Sequence, residues 1–223
     1  MKLEKLNREE AFRYMGSKGR EIPPNLIPLS EECEQALLKA ISPKYCWKLF
    51  DIEKTDECIS VQNTPLILKG SDIANHLENC EKAVFLCATL SIGADNVIRS
   101  YEAAAMEKAV IADSLASAAI EQVCDLAEEE IRQRLPEYNF TWRFSPGYGD
   151  FPLEIQGDFL KTLDAPKIIG VNITKSLMLT PTKSVTAVMG LSKNEISKGR
   201  RGCGCCNMKD KCEFRKRGTH CGF

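Results

Sequence analysis

No run of apolar residues in this 223-residue chain approaches the roughly 20 that a membrane-spanning helix requires. The opening Met1-Lys2-Leu3-Glu4-Lys5 is too charged for a secretory leader. Net charge is lacking too: 30 basic against 31 acidic side chains leave −1 at pH 7. Without a global basic field, nucleic acid is not expected as the main partner. Histidine is nearly absent, with only His76 and His220 in the whole chain. There is no internal repeat and, before residue 193, no low-complexity segment. What these absences leave is a cytoplasmic globular protein with no membrane partner, long enough to bury a sizeable core as one domain or two small ones.

Cysteine, by contrast, is abundant. Of the eleven, Cys33, Cys46, Cys58, Cys80, Cys87 and Cys124 are scattered through helix- and strand-like sequence, where a free thiol behaves as a small buried hydrophobe. The other five crowd the basic segment 193–223. Crowded thiolates bind zinc or an iron–sulfur cluster, and neighbouring cations lower thiol pKa. Cys203, Cys205, Cys206 and Cys212 are therefore the candidate metal ligands. The spacing is not a ferredoxin pattern, and a basic tail with reactive thiols is the alternative.

Taken in order, the chain predicts a short helix over 6–15 with Asn7 as its cap. Pro23, Pro24 and Pro28 suggest an extended linker, followed by a helix over 30–41 capped by Ser30 and stopped by Pro43. Strands are expected over 45–51, 58–61 and 65–68, then a helix from Ser71 through Leu77. The apolar run Ala83–Leu90 has the length and composition of a fully buried central strand. From Ala94 to Leu135 the sequence is helical, with an inward stripe of Met106, Val110, Ala116, Ala119, Ile120, Val123, Ala127 and Ile131. Asp113 lies at the edge of that stripe. A strand over 139–144, a helix over 153–163, two extended stretches at 170–174 and 177–181 and a last strand over 184–190 complete the order. Segregated blocks of strand and helix indicate an α+β fold, with long helices packed on a mixed or antiparallel sheet and a cysteine-rich tail.

The chain is organised around Arg143-Phe144-Ser145-Pro146-Gly147-Tyr148-Gly149-Asp150-Phe151-Pro152. Pro146-Gly147 is a turn signal, since Pro presets φ for the first turn position and Gly accepts positive φ at the second. A strand end, a turn and a helix start together can face backbone N–H groups toward a small polar ligand. The alternative is a structural turn whose arginine pairs with a surface acid.

Arg143-Phe144-Ser145-Pro146-Gly147-Tyr148 resembles the Arg-x-x-x-Gly-Tyr signature of the activation domain of vitamin B12-dependent methionine synthase. The segment Ile169–Val185 is similar to the same family, with its Gly-x-x-Ile-Thr-x-Ser leading to Pro181 and Ser184-Val185. The resemblance is specific over 140–191, weaker over 83–135 and absent before residue 45 and after 193. It implies a domain over 1–192, with the motifs in 83–191, that binds S-adenosylmethionine. It further implies reductive methylation, and so reactivation, of cob(II)alamin with an electron from a flavodoxin-type donor. No corrin-binding Asp-x-His-x-x-Gly is present, so the cobalamin would belong to a separate corrinoid protein, such as a methionine synthase lacking its own activation domain. By position, Arg143 would pair with the methionyl carboxylate and the Ser145 backbone would meet adenine or ribose. Gly147 would allow close approach, and Tyr148 would contact the reactive end. For the acid that holds the amino group, the candidates are Asp113, Asp150 and Glu154; Lys175 stands where the family carries an acid. The basic tail could steer an acidic flavoprotein or corrinoid protein. Two other functions fit the residues: an independent methyltransferase, for which no general base accompanies Tyr148, and a metal or redox module acting through the tail.

Overall fold

The computed structural model describes residues 1–17, 22–55 and 58–196. In chain order the helices are α1 (Arg8–Tyr14), α2 (Leu26–Ala40), α3 (Ser71–His76), α4 (Ile92–Ala104), α5 (Met106–Arg134), α6 (Gln156–Leu163) and α7 (Ala165–Ile168). The strands are β1 (Lys44–Lys54), β2 (Ile59–Val61), β3 (Ile67–Leu68), β4 (Lys82–Thr89), β5 (Asn139–Phe140), β6 (Asn172–Ile173), β7 (Leu179–Thr180) and β8 (Ser184–Ser192). Six of them form one sheet in the order β3-β2-β1-β4-β8-β5, with every pairing antiparallel, while β6 and β7 pair separately.

Strand β4 is buried from Ala83 to Thr89 because both faces of the sheet are covered. Its side chains alternate between two layers, as the pleat requires. Val84 and Leu86 pack with Ala127 and Ile131 of α5, and Ala88 joins Leu115 and Ala119 of the same helix. Ala83, Phe85 and Cys87 turn the other way, toward Phe159, Leu160 and Leu163 of α6. Phe85 stacks on Phe159 with ring centroids 4.8 Å apart and planes 9° apart. Truncating either ring to Ala would cost about 3–5 kcal/mol. A two-faced burial is the reason for the near-continuous apolar run.

Helix α5 has 29 residues, a rod of about 43 Å at 1.5 Å per residue. Its alanines at 112, 116, 119 and 127 are fully buried and keep it close to the sheet. Two stripe residues depart from expectation: Met106 and Val110 are exposed, at 64% and 48%. The helical stretch is also broken in two at Ala105, whose φ of −160° and ψ of 89° are extended. Alanine is the best helix former, so nothing local announces this break. It is set by the packing of α4 back along α5.

Other boundaries move for identifiable reasons. Helix α2 begins at Leu26, and Pro28 sits inside its first turn, where the missing N–H is no loss. Ser30 is therefore not the cap; it lies within the helix and donates its hydroxyl to the Ile27 carbonyl at 2.7 Å. Asn7 does cap α1, accepting the Glu10 N–H at 3.0 Å. Helix α3 starts after Gly70, and its N-terminus is capped by Asp150, from the far side of the central motif.

Candidate ligand-binding site

After β5 the chain continues along β8 as an irregular edge. Thr141 N–H donates to the Gly190 carbonyl at 2.9 Å, and Phe144 and Val188 exchange two backbone hydrogen bonds. Strand-like alternation then divides three successive side chains. Trp142 and Phe144 point to the α3 side, where the His76 ring lies 4.7 Å from Trp142 and 5.0 Å from Phe144. His76 is buried and shares a 2.8 Å hydrogen bond with the Thr141 hydroxyl, which also accepts the Gly190 N–H at 2.8 Å. Arg143 points to the opposite side, onto α5.

Arg143 is met there by three carboxylates. Its Nη2 donates to Glu121 at 3.1 Å and Asp125 at 2.8 Å, and its Nη1 donates to Glu128 at 3.0 Å. These acids are spaced i, i+4 and i+7 and so share one helix face. The arginine side chain is 18% exposed, whereas that of Asp125 is 69% exposed. Burial works against the Arg143 charge, but Cys124, Asp125 and Glu128 outweigh it and hold its pKa above the ordinary arginine value. Glu128 is held from the other side by Arg132 at 2.7 Å, and that guanidinium lies over the Phe140 ring at 4.6 Å. Three acids facing two arginines leave the cluster with one surplus negative charge.

Beyond Arg143 the expected turn forms. The Tyr148 N–H donates to the Ser145 carbonyl at 3.2 Å, and Gly147 has φ of +91°. Pro at the second position and positive φ at the third are type II geometry. A Cβ at Gly147 would meet only Leu153 Cδ1, at 3.3 Å. Tyr148 stands 64% exposed at the tip, its ring 6.4 Å from that of Phe144. Thus Arg143, Ser145, Gly147 and Tyr148 share one sheet edge, but the tyrosine leans toward Phe144 and the arginine toward α5.

Of the candidate amino-group acids, Asp113 is occupied by Lys183 at 2.7 Å. Asp150 is committed to α3: its Oδ2 accepts the Ser71 N–H and hydroxyl, both at 2.6 Å, and its Oδ1 accepts the Asp72 N–H at 2.9 Å. Glu154 is exposed. The acids that adjoin Arg143 are Glu121, Asp125 and Glu128, which sequence reasoning missed. Their i, i+4, i+7 spacing was the available signal, but on an exposed helix face it reads as solvation. The candidate metal ligands Cys203, Cys205, Cys206 and Cys212 lie outside the described residues. Among the described residues no group of three or more His, Cys, Asp or Glu is arranged to hold a metal ion, and no helix is long and apolar enough to cross a membrane.

The sequence matches no protein-family model and no curated protein. The backbone, however, is similar to a crystal structure of the MetH reactivation domain bound to AdoHcy. The TM-score is 0.63 over 97% of this chain and 85% of that one, at 13% sequence identity. The fold is that of the MetH reactivation domain. The α+β architecture and the activation-domain likeness expected from the Arg143–Tyr148 and Ile169–Val185 segments are both found in the structure, and the likeness extends well before residue 45.

Proposed function

We propose that this chain binds S-adenosylmethionine along the Arg143–Tyr148 edge and presents its sulfonium methyl group to the corrinoid of a separate protein. The observation that carries this reading is a guanidinium and a surplus of carboxylate charge at an exposed aromatic turn, on the fold of a domain solved with AdoHcy. The donor set suits the ligand. A guanidinium fork matches an α-carboxylate, carboxylates suit an ammonium, and an exposed aromatic ring such as that of Tyr148 suits a sulfonium. In this assignment Arg143 holds the carboxylate, and the backbone at Ser145 meets adenine or ribose. Gly147 lets the turn approach closely, and Tyr148 borders the methyl group. The corrinoid, which accepts the methyl group during reductive methylation of its Co(II) state, stays with the partner. That partner is a methionine synthase lacking its own activation domain, or a related corrinoid methyltransferase, and a flavodoxin-type donor supplies the electron. The chain's own share is to bind, orient and expose the methyl donor, through a weak and salt-sensitive encounter.

The test mixes the chain, S-adenosylmethionine, a low-potential reductant and a Co(II)-state methionine synthase lacking its activation domain. The methylcobalamin spectrum should appear only with all four present. A spectrum that never changes, with any corrinoid protein of the same cell, would overturn the reactivation role. Calorimetric titration separately tests whether S-adenosylmethionine binds.

A further inference from the structure

An arginine takes a carboxylate most strongly as a two-pronged fork. Each of its two forked edges uses one proton of Nη2, paired with a proton of either Nη1 or Nε. In Arg143 both Nη2 protons are already engaged, one by Glu121 at 3.1 Å and the other by Asp125 at 2.8 Å. The donors left over, Nε–H and the second Nη1–H, lie on different edges and cannot grip one carboxylate between them. An incoming α-carboxylate therefore reaches a fork only by displacing an acid that α5 already supplies.

The three acids are not equally displaceable. Glu128 contacts Nη1, is 19% exposed and is pinned by Arg132 as well. Asp125 is 69% exposed and Glu121 is 46% exposed, and no described arginine or lysine other than Arg143 holds either one. Swinging out into water costs these carboxylates little, because water already solvates and screens their exposed ends. Resting on the S-adenosylmethionine reading above, we propose that Asp125, assisted by Glu121, is the specificity-determining acid of the site. The ligand α-carboxylate takes its place on Arg143 Nη2, and the displaced carboxylates accept the ligand's α-ammonium.

The exchange makes the site selective for a zwitterion. A ligand with a carboxylate and no ammonium must evict an acid and leaves that acid's charge uncompensated beside its own. A ligand with an ammonium and no carboxylate leaves the Arg143–Asp125 pair intact and gains no fork. A fixed pairing in a preformed pocket would also prefer the zwitterion, but there removal of the acid would weaken S-adenosylmethionine binding, whereas in the exchange it strengthens binding of the 2-oxo acid.

The experiment is calorimetric titration of the full chain with three probes. They are S-adenosylmethionine, its 2-oxo acid analogue (carboxylate and sulfonium, no ammonium) and decarboxylated S-adenosylmethionine (ammonium and sulfonium, no carboxylate). Wild type should favour S-adenosylmethionine over the 2-oxo acid by more than about tenfold. In Asp125→Asn that preference should fall several-fold, and in Glu121→Gln/Asp125→Asn it should approach unity, chiefly because the 2-oxo acid binds better. Should the double variant not fold, the surface change Asp125→Asn alone decides the matter. If Arg143→Ala loses S-adenosylmethionine but Asp125→Asn keeps the full preference, the exchange is overturned and the binding site stands. If wild type binds S-adenosylmethionine and Arg143→Ala binds it equally well, the site assignment fails, and the exchange with it. No binding of S-adenosylmethionine to wild type overturns both.

Discussion

Asp72 and Asp150, 78 residues apart, each accept the other's backbone N–H: Asp72 N–H to Asp150 Oδ1 at 2.9 Å, and Asp150 N–H to Asp72 Oδ2 at 3.1 Å. The reciprocal pairing clamps the turn after Tyr148 onto the first turn of α3. It also supplies a cap that Ser71 does not supply for itself. Two glycines make the approach possible. A Cβ on Gly70 would lie 2.7 Å from Asp150 Oδ1, and one on Gly149 would lie 1.9 Å from Asp72 Oδ2; both have positive φ.

The clamp has a pH signature. The Ser71 hydroxyl first, and then the Asp72 N–H, hold the Asp150 carboxyl below its ordinary pKa. A depressed folded-state pKa stabilises above the unfolded value near 3.9 and is lost as pH falls through the lowered one. Asp150→Asn should lower Tm by about 2–4 °C near neutrality. Thermal scans of both proteins should show that gap narrowing as pH drops below about 4. A gap of constant size down to acid pH would mean the carboxylate charge is not involved.

Arg143→Ala should weaken S-adenosylmethionine binding by about 2–4 kcal/mol while the far-ultraviolet spectrum stays unchanged. Two of its three acids, Glu121 and Asp125, are 46% and 69% exposed and can turn to water, and Glu128 keeps Arg132, so the stability change should be modest. Tyr148→Ala, at a 64% exposed position, should leave Tm unaltered and slow methylation of the partner's corrinoid. Unaltered affinity in folded Arg143→Ala would remove the arginine from the site.

Two helical glycines should respond oppositely to alanine. At Gly93 a Cβ would stand 1.9 Å from the Ala40 carbonyl oxygen, a backbone atom that cannot swing aside. Gly93→Ala should therefore destabilise by about 1–3 kcal/mol or more through overpacking of α4 on the end of α2. Gly157, in α6, has nothing within 4 Å of the same position. Gly157→Ala should be neutral or stabilise by about 0.5–1 kcal/mol. Urea denaturation of the pair settles both signs.

Burial raises the thiol pKa of Cys46 and Cys80 to about 11 and of Cys124 to about 12, and pushes Cys87 well above its ordinary value. Below those values the thiols stay protonated, and the thiolate is the nucleophile. Brief alkylation of native protein at neutral pH should therefore modify half-buried Cys58 ahead of these four. Peptide mass mapping reads the order, and early labelling of Cys87 would contradict it.

Four cysteines of the tail carry a separate proposal. Protein purified without oxygen or chelator should hold zinc or iron through Cys203, Cys205, Cys206 and Cys212, and lose it when the chain is cut after residue 196. Elemental analysis finding only traces would favour the free-thiol alternative.

Much of this fold can be read one residue at a time. Ala83–Leu90 announces a strand covered on both faces, because only such a strand tolerates an unbroken apolar run. Asn7 announces a helix start, and Pro146-Gly147 a turn with positive φ, because each rests on local geometry. The family signature places Arg143 and Tyr148 on one edge for the same reason. The break at Ala105 is different, since alanine favours the helix it interrupts and only the return of α4 along α5 demands the extended residue. Asp150 looks from sequence like a ligand acid, yet the fold brings α3 beneath it and turns it into a cap. Glu121, Asp125 and Glu128 look like solvent-facing charge until Arg143 arrives from β8's edge. Local patterns determine which conformations a segment prefers. Which charge meets which is decided by contacts across 15 to 79 residues of chain, and those exist only once the sheet has closed between its two helical layers.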